Sequence, residues 1–174
     1  METIFTVGHG TRSSDELNEI LRAARIDLLI DVRRFPGSRR HPQFSKNAVE
    51  KSLSAVGVEY DWQGDALGGR RKANPESENS AWRNAAFRAY ADHMDTEEFR
   101  RALTSIKDRA ATTRQALMCA ETLWWRCHRR LIADALVVGG FEVVHLGVGK
   151  DGQHKLTETA RRVSQGRLVY DVES

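Results

Sequence analysis

Three short polar segments of the sequence contain residue types that perform acid–base chemistry. His9 lies between two glycines in GHG, Asp31 and Arg33 stand in DVR, and Glu121 ends the segment CAE. An apolar run precedes each segment, which predicts a buried strand that ends at the polar residues. In an open parallel sheet, ligands bind outside the carboxyl ends of the strands. The three segments therefore predict one site, assembled where three strand ends meet.

Carboxylates and imidazoles at such strand ends are half buried, where desolvation and neighbouring charge change their pKa values. This environment suits Glu121, Asp31 and His9 to catalysis. Two of them also have an ordinary structural explanation, since Asp31 can cap a loop and pair with Arg33, and His9 can donate to a backbone carbonyl. Glu121 is harder to explain in this way, because it leaves a buried strand and precedes a loop with two tryptophans.

The only two cysteines lie in the segment CAETLWWRCHRR, which raises the question of metal or thiol chemistry. Cys119 and Cys127 lack the close pairing of common zinc sites, so we expect no metal. Cys127 lies near the predicted start of a helix beside His128 and Arg129, where a thiolate would be stabilised. The glycines of a phosphate cradle are absent, so a cysteine-dependent phosphatase or sulfurtransferase is the alternative function. Cys119 is also explained as a small core residue.

Basic residues are bunched along the chain, although the net charge is only +3 and the sequence pI is about 9.1. The three groups are Arg33, Arg34, Arg39 and Arg40; Arg70, Arg71 and Lys72; and Arg126, Arg129 and Arg130. Several cations that act together bind a polyanion, so the grouping predicts a phosphate-binding face. The alternative is that these side chains only solvate the surface.

Length and composition favour one globular domain that spans residues 1–174, with 40% hydrophobic residues available for its core. No basic region followed by a long apolar stretch begins the sequence, and no apolar run approaches the roughly 20 residues that span a bilayer. Two cysteines in one motif are not spread like a disulfide framework. We therefore expect a cytoplasmic protein with reduced thiols and no membrane contact.

Hydrophobic periodicity predicts an α/β fold, with a mostly parallel sheet flanked by helices. The first strand–helix–strand unit consists of a strand at Ile4–Val7, a helix with capping-box residues Ser13 and Glu16, and a strand at Leu28–Val32. The second unit consists of a strand at Ala116–Ala120, a helix from about Cys127 to Val138 and a strand at Glu142–Leu146. Both units have the length of a parallel βαβ crossover.

The segments between and after these units are assigned with the same rules. Expected are a cationic loop at 33–44, a helix capped by Ser45, a strand at 58–62, a mobile loop without regular structure at 63–80, a helix through Trp82 to Met94 and a helix after Thr96. The tail from residue 147 contains an amphipathic stretch around Leu156–Val163 and a short strand in VYDV. The sequence does not assign that strand a place in the sheet.

Five sequence blocks occur in order along the chain: TVGHGTRS, DVRRFPGSRRHPQF, LGGRR, CAE with CHRRLIA, and EVVHLG. Together they closely resemble the bacterial family of domain of unknown function DUF488. The resemblance runs from about Ile4 to Leu146 and leaves 147–174 as a C-terminal extension. It implies a compact α/β sandwich with a topology loosely similar to rhodanese-like domains. No cysteine stands in the loop where a rhodanese has its nucleophile, which counts against sulfur transfer.

The resemblance implies a DNA glycosylase that hydrolyses the N-glycosidic bond of oxidised or modified pyrimidines, such as 5-hydroxyuracil or 5-hydroxymethyluracil. The implied partner is DNA, held by its phosphates as a duplex with one flipped base, without a metal, a cofactor or a protein partner. Carboxylates stabilise an oxocarbenium-like sugar in glycoside hydrolysis, so Glu121 and Asp31 are expected to be catalytic. The donor to the leaving base is expected to be His9, Arg33 or His128. No lysine stands out as a Schiff-base nucleophile, so we expect a monofunctional enzyme.

The same blocks supply the residues expected around the substrate. The substrate-binding residues are Gly8, Arg33, Ser38, Phe44, Cys119, Cys127, His128 and Arg129. The DNA-binding residues are Arg34, Phe35, Arg39, Arg40, Arg70, Arg71, Lys72, Trp124, Trp125, Arg126 and Arg130. An exposed aromatic ring can enter the base stack, but one of the adjacent tryptophans is expected in the core because chain neighbours point different ways. A non-catalytic nucleic-acid-binding module is the remaining alternative.

Overall fold

A six-stranded sheet forms the centre of the computed structural model, which describes residues 1–37 and 39–172. The strands are β1 (Thr3–Gly8), β2 (Leu28–Asp31), β3 (Glu59–Trp62), β4 (Gln115–Cys119), β5 (Glu142–His145) and β6 (Gly152–Gln153). Their order is β3-β2-β4-β1-β5-β6, and all pairs are parallel except β5 with β6. The predicted α/β class with a mostly parallel sheet is confirmed.

Helices cover both faces of the sheet. They are α1 (Ser14–Ala23), α2 (Lys46–Ser54), α3 (Gly64–Leu67), α4 (Ala85–His93), α5 (Glu97–Arg109) and α6 (Arg129–Val138). The α1 and α2 side chains pack on one face through residues such as Leu21 and Leu53. The other face carries α3 to α6, with Tyr90, Phe99 and Leu131 fully buried. Each such side chain contributes about 1.5–3 kcal/mol by leaving water.

Local signals in the sequence fix where several helices begin. The Ser13 hydroxyl accepts from the backbone N–H of Glu16, and the Glu16 carboxylate accepts from the backbone N–H of Ser13, which is a complete capping box. Ser45 and Thr96 cap α2 and α5 in the same way with one hydrogen bond each. These predicted caps are confirmed.

The three polar segments meet because β2, β4 and β1 are neighbours in the sheet. Gly8 is paired with Cys119, and Asp31 is paired with Met118, so the carboxyl ends of the three strands lie side by side. Backbone hydrogen bonds continue beyond the strands, from His9 N to Cys119 O at 3.0 Å and from Val32 N to Met118 O at 2.9 Å. The predicted convergence of GHG, DVR and CAE is confirmed.

The prediction that residues 63–80 lack regular structure was wrong at the start of this segment. α3 is a single helical turn that two side chains of α4 hold against the core. The Tyr90 hydroxyl donates to Leu67 O at 2.7 Å, and His93 Nε2 donates to Ala66 O at 2.6 Å. A turn this short depends on tertiary contacts rather than on helix propensity, so periodicity does not detect it.

The C-terminal region forms a second, smaller sheet. The amphipathic stretch contains β7 (Ala160–Arg162), and the strand predicted in VYDV is β8 (Leu168–Tyr170), which pairs with β7 in antiparallel fashion. The side chains of Leu168 and Tyr170 are buried against the helical face that carries α4 to α6. Within 1–37 and 39–172, no helix has the length and apolar character that crossing a membrane requires.

Candidate functional site

A pocket of about 540 Å³ opens at the carboxyl ends of β1, β2 and β4. It is lined by six of the side chains that the sequence predicts for catalysis or substrate binding: His9, Arg33, Cys119, Glu121, Cys127 and His128. The aromatic residues Phe87 and Tyr90 of α4 also line it, and sequence reasoning missed them. Their helical spacing indicated only a core-facing stripe, because a buried stripe and a pocket wall have the same period.

Two glycines let the segment after β4 lie close against the end of β1. A side chain at Gly8 would overlap with the backbone carbonyl of Glu121, and a side chain at Gly10 would overlap with the Thr122 hydroxyl. Gly10 also has a φ of +53°, which L side chains rarely adopt. Gly8 therefore acts through the absence of a side chain, and it fixes where Glu121 leaves the strand.

Glu121 is half-buried and lines the pocket. Its Oε1 accepts a hydrogen bond from the backbone N–H of Leu123 at 3.1 Å. No partner contacts the other carboxylate oxygen within the described ranges of the chain. Glu121 is thus oriented by one backbone donor and retains an oxygen that can contact a ligand.

Asp31 is fully buried and all its hydrogen-bonding capacity is used internally. Oδ1 accepts from the backbone N–H of Arg33 at 3.0 Å and from Arg33 Nε at 2.9 Å. Oδ2 accepts from Arg33 Nη2 at 2.8 Å and from the Tyr60 hydroxyl at 2.6 Å. Burial and the Asp31 carboxylate both raise the pKa of Tyr60, so this hydroxyl stays protonated and donates. Asp31 therefore orients Arg33 and does not line the pocket.

Arg33 connects Asp31 to the pocket wall. Its Nη1 donates to Phe44 O at 2.6 Å and to His9 Nε2 at 3.2 Å. Four of its five guanidinium N–H groups thus have partners, and the fifth, on Nη2, has none in the part of the chain that the structure describes. This side chain lines the pocket while it is held rigidly, as a cation that binds substrate requires.

His9 is nearly fully buried and stacks on Phe44 with the ring centroids 4.3 Å apart. Its Nδ1 donates to Gly10 O at 2.9 Å, so Nε2 is the acceptor for Arg33. Burial and, to a smaller extent, the charge of Arg33 lower the pKa of His9 to about 4. The imidazole is therefore neutral at pH 7 and its only N–H faces a carbonyl, which argues against the expected role as a proton donor.

His128 has the same arrangement on the other side of the pocket. Its Nε2 donates to Val32 O at 3.0 Å, and its Nδ1 lies 3.4 Å from Cys127 Sγ. Burial lowers the pKa of His128, so this ring is also neutral at pH 7. Both pocket histidines thus use their only N–H on a backbone carbonyl, and that of His128 connects the start of α6 to the residue after β2.

The two thiols have opposite environments although both line the pocket. Burial raises the pKa of Cys119, whose Sγ donates to Glu121 O at 3.3 Å. Interaction with the neighbouring Cys119 side chain lowers the pKa of Cys127, and the backbone N–H and guanidinium of Arg129 lower it further. No group of three or more His, Cys, Asp or Glu side chains in the described residues is arranged to hold a metal ion.

Cys127 is expected to react with iodoacetamide at a lower pH than an ordinary thiol, while Cys119 stays unmodified. The reason is that only the thiolate is nucleophilic, and the lowered pKa of Cys127 supplies it at lower pH. Peptide mass spectrometry over a pH series measures each cysteine separately, with unfolded protein as the control in which both react alike. Equal reactivity of the two cysteines in the folded protein would contradict this assignment.

The exposed residues at the mouth of the pocket are cationic and aromatic. Phe35 is 64% exposed, and its ring centroid lies 5.6 Å from the Arg34 guanidinium and 5.4 Å from that of Arg70. Arg34 Nη1 donates to Arg70 O at 2.7 Å, which joins the two segments. We call Arg34, Phe35 and Arg70 the mouth cluster. Arg126 is also exposed and lines the pocket.

Other predicted DNA contacts lie elsewhere. Arg39, Arg40, Lys72 and Trp125 are exposed, although none of them lines the pocket. Arg71 is half-buried, donates to the backbone carbonyls of Gly68 and Asp65, and therefore holds its own loop. Ser38 lies outside the described residues.

Trp124 is the inward member of the tryptophan pair. It stacks on His145 with the centroids 4.4 Å apart and the rings nearly parallel, so it is not available to enter a base stack. The Arg130 guanidinium lies over the rings of Trp82 and Trp124, and its Nε donates to the Thr157 hydroxyl at 3.0 Å. The two adjacent tryptophans point different ways as expected, but Trp124 is half-buried rather than part of the buried core.

Two predicted substrate-binding residues are buried behind the pocket. Phe44 is 1% exposed and contributes its ring to the stack with His9. Arg129 is fully buried and donates to Thr6 Oγ1 and to the carbonyls of Glu121 and Thr122. Both position groups that line the pocket, and neither lines it.

Residues 13–136 match the sequence model of a family described as Domain of unknown function DUF488. This span is shorter than the resemblance predicted from about residue 4 to residue 146. No curated protein and no solved structure matches the chain. The likeness to rhodanese-like domains therefore stays a prediction.

Proposed function

The chain belongs to the DUF488 family, a domain of unknown function, and on that premise we propose that it is a DNA glycosylase for modified pyrimidines. The observation that carries the proposal is Glu121, whose unpartnered carboxylate oxygen belongs to a wall of the pocket. The pocket volume of about 540 Å³ is in the range that encloses a small ligand. The mouth cluster, in which Phe35 and Arg70 are exposed and Arg34 is half-buried, supplies cations and an aromatic ring at the entrance.

Glu121 is the proposed catalytic carboxylate. Cleavage of an N-glycosidic bond develops positive charge on the sugar, which a nearby carboxylate stabilises while it orients the attacking water. A target base inside a duplex must first rotate out of the stack into a pocket. Phe35 is the proposed wedge that fills the resulting gap, since it is the exposed ring at the entrance and is flanked by two guanidinium groups.

Arg33 is the proposed partner of the departing base. His9 and His128 are neutral and each donates its N–H to a backbone carbonyl, so neither supplies a proton at pH 7. In this mechanism the base departs as an anion, stabilised by the charge and remaining N–H of Arg33. No lysine lines the pocket among the described residues, which supports simple hydrolysis that leaves an abasic site. The proposed reaction uses neither a metal nor a cofactor. The proposed place of action is the cytoplasm.

The assay combines purified protein and EDTA with labelled duplexes that each contain one uracil, 5-hydroxyuracil, 5-hydroxymethyluracil or 8-oxoguanine. Alkali converts each abasic site into a strand break. Release of a modified pyrimidine by the wild type supports the proposal and identifies the substrate. Intact duplexes together with salt-sensitive binding would contradict it and favour a non-catalytic nucleic-acid-binding module.

Thiol chemistry is the second candidate function, and the environment of Cys127 favours it. The thiol lines the pocket just before α6, and its pKa is lowered by Cys119 and by Arg129. A phosphatase or sulfurtransferase of this kind would lose activity in Cys127→Ser and keep it in Glu121→Gln. The glycosylase proposal expects the reverse order of sensitivity, so the two variants separate the candidates.

Replacement of Arg34 or Arg70 by glutamine is expected to weaken duplex binding and make it less sensitive to salt. Each lost phosphate contact reduces the slope of log K against log salt by about 1. Fluorescence anisotropy over a salt series measures the slope, and Arg22→Gln on exposed α1 is the matched control. An unchanged slope in both variants would remove the mouth cluster from the proposed DNA interface.

A further inference from the structure

A chain of buried hydrogen bonds runs from the C-terminal hairpin to the strand at the centre of the sheet. The Tyr170 hydroxyl donates to Asp134 Oδ2 at 2.8 Å, and His154 Nε2 donates to Asp134 Oδ1 at 2.7 Å. His154 Nδ1 lies 2.8 Å from His145 Nε2, and His145 Nδ1 lies 2.5 Å from Thr6 Oγ1. All five side chains are at most 4% exposed. We call these residues the buried relay.

The proton positions along the relay follow from its acidic end. The Asp134 carboxylate can only accept, so His154 carries a proton on Nε2, and in the neutral ring Nδ1 is the acceptor. His145 then donates from Nε2 and accepts at Nδ1 from the Thr6 hydroxyl. Burial lowers the pKa of His145 to about 3, so the ring is neutral at pH 7 as this pattern requires. In this pattern each hydrogen bond of the relay has one defined donor and one defined acceptor.

The relay ends on Arg129. With its proton committed to His145, Thr6 Oγ1 accepts from Arg129 Nη1 at 3.1 Å. Arg129 Nη2 donates to the carbonyl oxygens of Glu121 and Thr122 at 3.0 Å each. The guanidinium is fully buried, and no carboxylate within the described ranges forms an ion pair with it. The position of Arg129 therefore depends on Thr6 and on these two carbonyls.

Four of the five relay members lie outside the part of the chain that matches the family, Thr6 before its start and three others after its end. That match ends at residue 136, whereas His145 is in β5, His154 follows β6 and Tyr170 ends β8. Trp124, from the loop after Glu121, stacks on His145 and contacts His154 edge-on. The region after residue 136 thus contacts the Glu121 loop through Trp124 and, by way of Arg129, through the relay.

We propose that His145, His154 and Tyr170 are positioning residues, which act through Thr6 and Arg129 to hold the Glu121 loop in its reactive place. The effect on base release rests on the proposed function, whereas the effect on the loop and on Cys127 does not. The role expected for Arg129 from the sequence, contact with the substrate, is replaced by control of the loop that contacts it.

Thr6→Val and Thr6→Ser are the deciding pair of variants. Valine has the shape of threonine but removes the hydroxyl on which His145 and Arg129 converge, whereas serine keeps it. The first measurement is the pH midpoint of Cys127 alkylation, since Cys127 faces Cys119, Glu121, His128 and Arg129. We expect a higher midpoint in Thr6→Val and about threefold slower alkylation below it, which corresponds to about half a pKa unit. Thr6→Ser should match the wild type.

The second measurement is base release under single-turnover conditions. Displacement of the Glu121 loop in Thr6→Val is expected to slow base release roughly tenfold to a hundredfold with little change in duplex affinity. His154→Phe, which breaks the relay two members away from Thr6, should act in the same direction and less strongly. The Thr6→Ser variant should restore the rate, because it restores the shared acceptor.

The two measurements separate the inference from the proposed function. A wild type that releases no base refutes the glycosylase, but the midpoint of Cys127 alkylation still decides on the relay. A folded Thr6→Val protein with the midpoint and base-release rate of the wild type would overturn the inference, because the relay would then only stabilise the fold. Equal shifts in Thr6→Ser and Thr6→Val would also overturn it, since the hydroxyl would not be the cause.

Discussion

Replacement of Glu121 by glutamine is expected to reduce the rate of base release by roughly 10²–10⁴-fold, the contribution of a positioned acid–base group. Glutamine keeps the shape of the side chain, and its amide oxygen still accepts from the Leu123 N–H. The negative charge that stabilises the sugar is lost. Because the side chain is only half-buried, the free energy of unfolding should change by less than about 0.5 kcal/mol.

Single-turnover kinetics with a duplex that carries the preferred base measure this rate. Glu142→Gln is the matched control, because it is the same chemical change. Glu142 begins β5 at the amino ends of the strands, whereas the pocket lies at their carboxyl ends. The control should release base at the wild-type rate. A Glu121→Gln protein that retains more than a tenth of the wild-type rate would remove Glu121 from the reaction.

Asp31→Asn, unlike Glu121→Gln, is expected to cause a large loss of stability. Asparagine removes the charge that compensates buried Arg33 and puts an amide in the place of an oxygen that accepts from Arg33 or Tyr60. Breaking a buried ion pair by changing one partner costs about 3–5 kcal/mol of unfolding free energy. Urea denaturation followed by tryptophan fluorescence measures the loss.

Asp61→Asn provides the comparison for Asp31. Asp61 also pairs with an arginine, Arg109, at 3.4 Å, but both side chains are about one-third exposed. An ion pair of this kind contributes at most about 1 kcal/mol. If Asp31→Asn were as stable as Asp61→Asn and yet released no base, Asp31 would act on the substrate and the assignment of Glu121 as the only catalytic carboxylate would fail.

Local patterns predicted the strands and caps that position the site. The capping box of Ser13 and Glu16 depends on residues three apart, and the apolar runs before His9, Asp31 and Glu121 depend on immediate neighbours. Such signals are complete within a short window of sequence, so they need no knowledge of the fold. The meeting of three strand ends then follows from the general behaviour of parallel sheets.

The different roles of the two carboxylates depend on contacts between distant segments. Asp31 lies in β2 on the same face as Leu29, against α1 and α2, where Tyr60 of β3 reaches it. Glu121 follows β4 beyond the last strand position and lines a pocket on the helical face that carries α4. The two-residue period of a strand could have predicted that Asp31 shares the face of Leu29 and so lies away from the pocket face of Glu121. The orienting hydrogen bond of Tyr60 could not have been predicted.

Two short elements were missed for a different reason. α3 has four residues and β7 has three, so their patterns are too short to show periodicity. The buried relay was missed because its members His145, His154 and Tyr170 each look like isolated polar residues in the sequence. Their common function depends on Asp134 and Thr6, which lie on α6 and β1.

The central position of β1 determines when a growing polypeptide can complete this fold. β1 precedes the other strands along the chain, but its two neighbours in the sheet, β4 and β5, begin only at Gln115 and Glu142. Until they are synthesised, the strand Thr3–Gly8 has two unpaired edges, and pairing over such separations is slow. Unpaired apolar strands are prone to aggregate, so β1 is exposed to this risk until β4 and β5 have been synthesised. The segment that follows the family match thus also closes the sheet around the first strand.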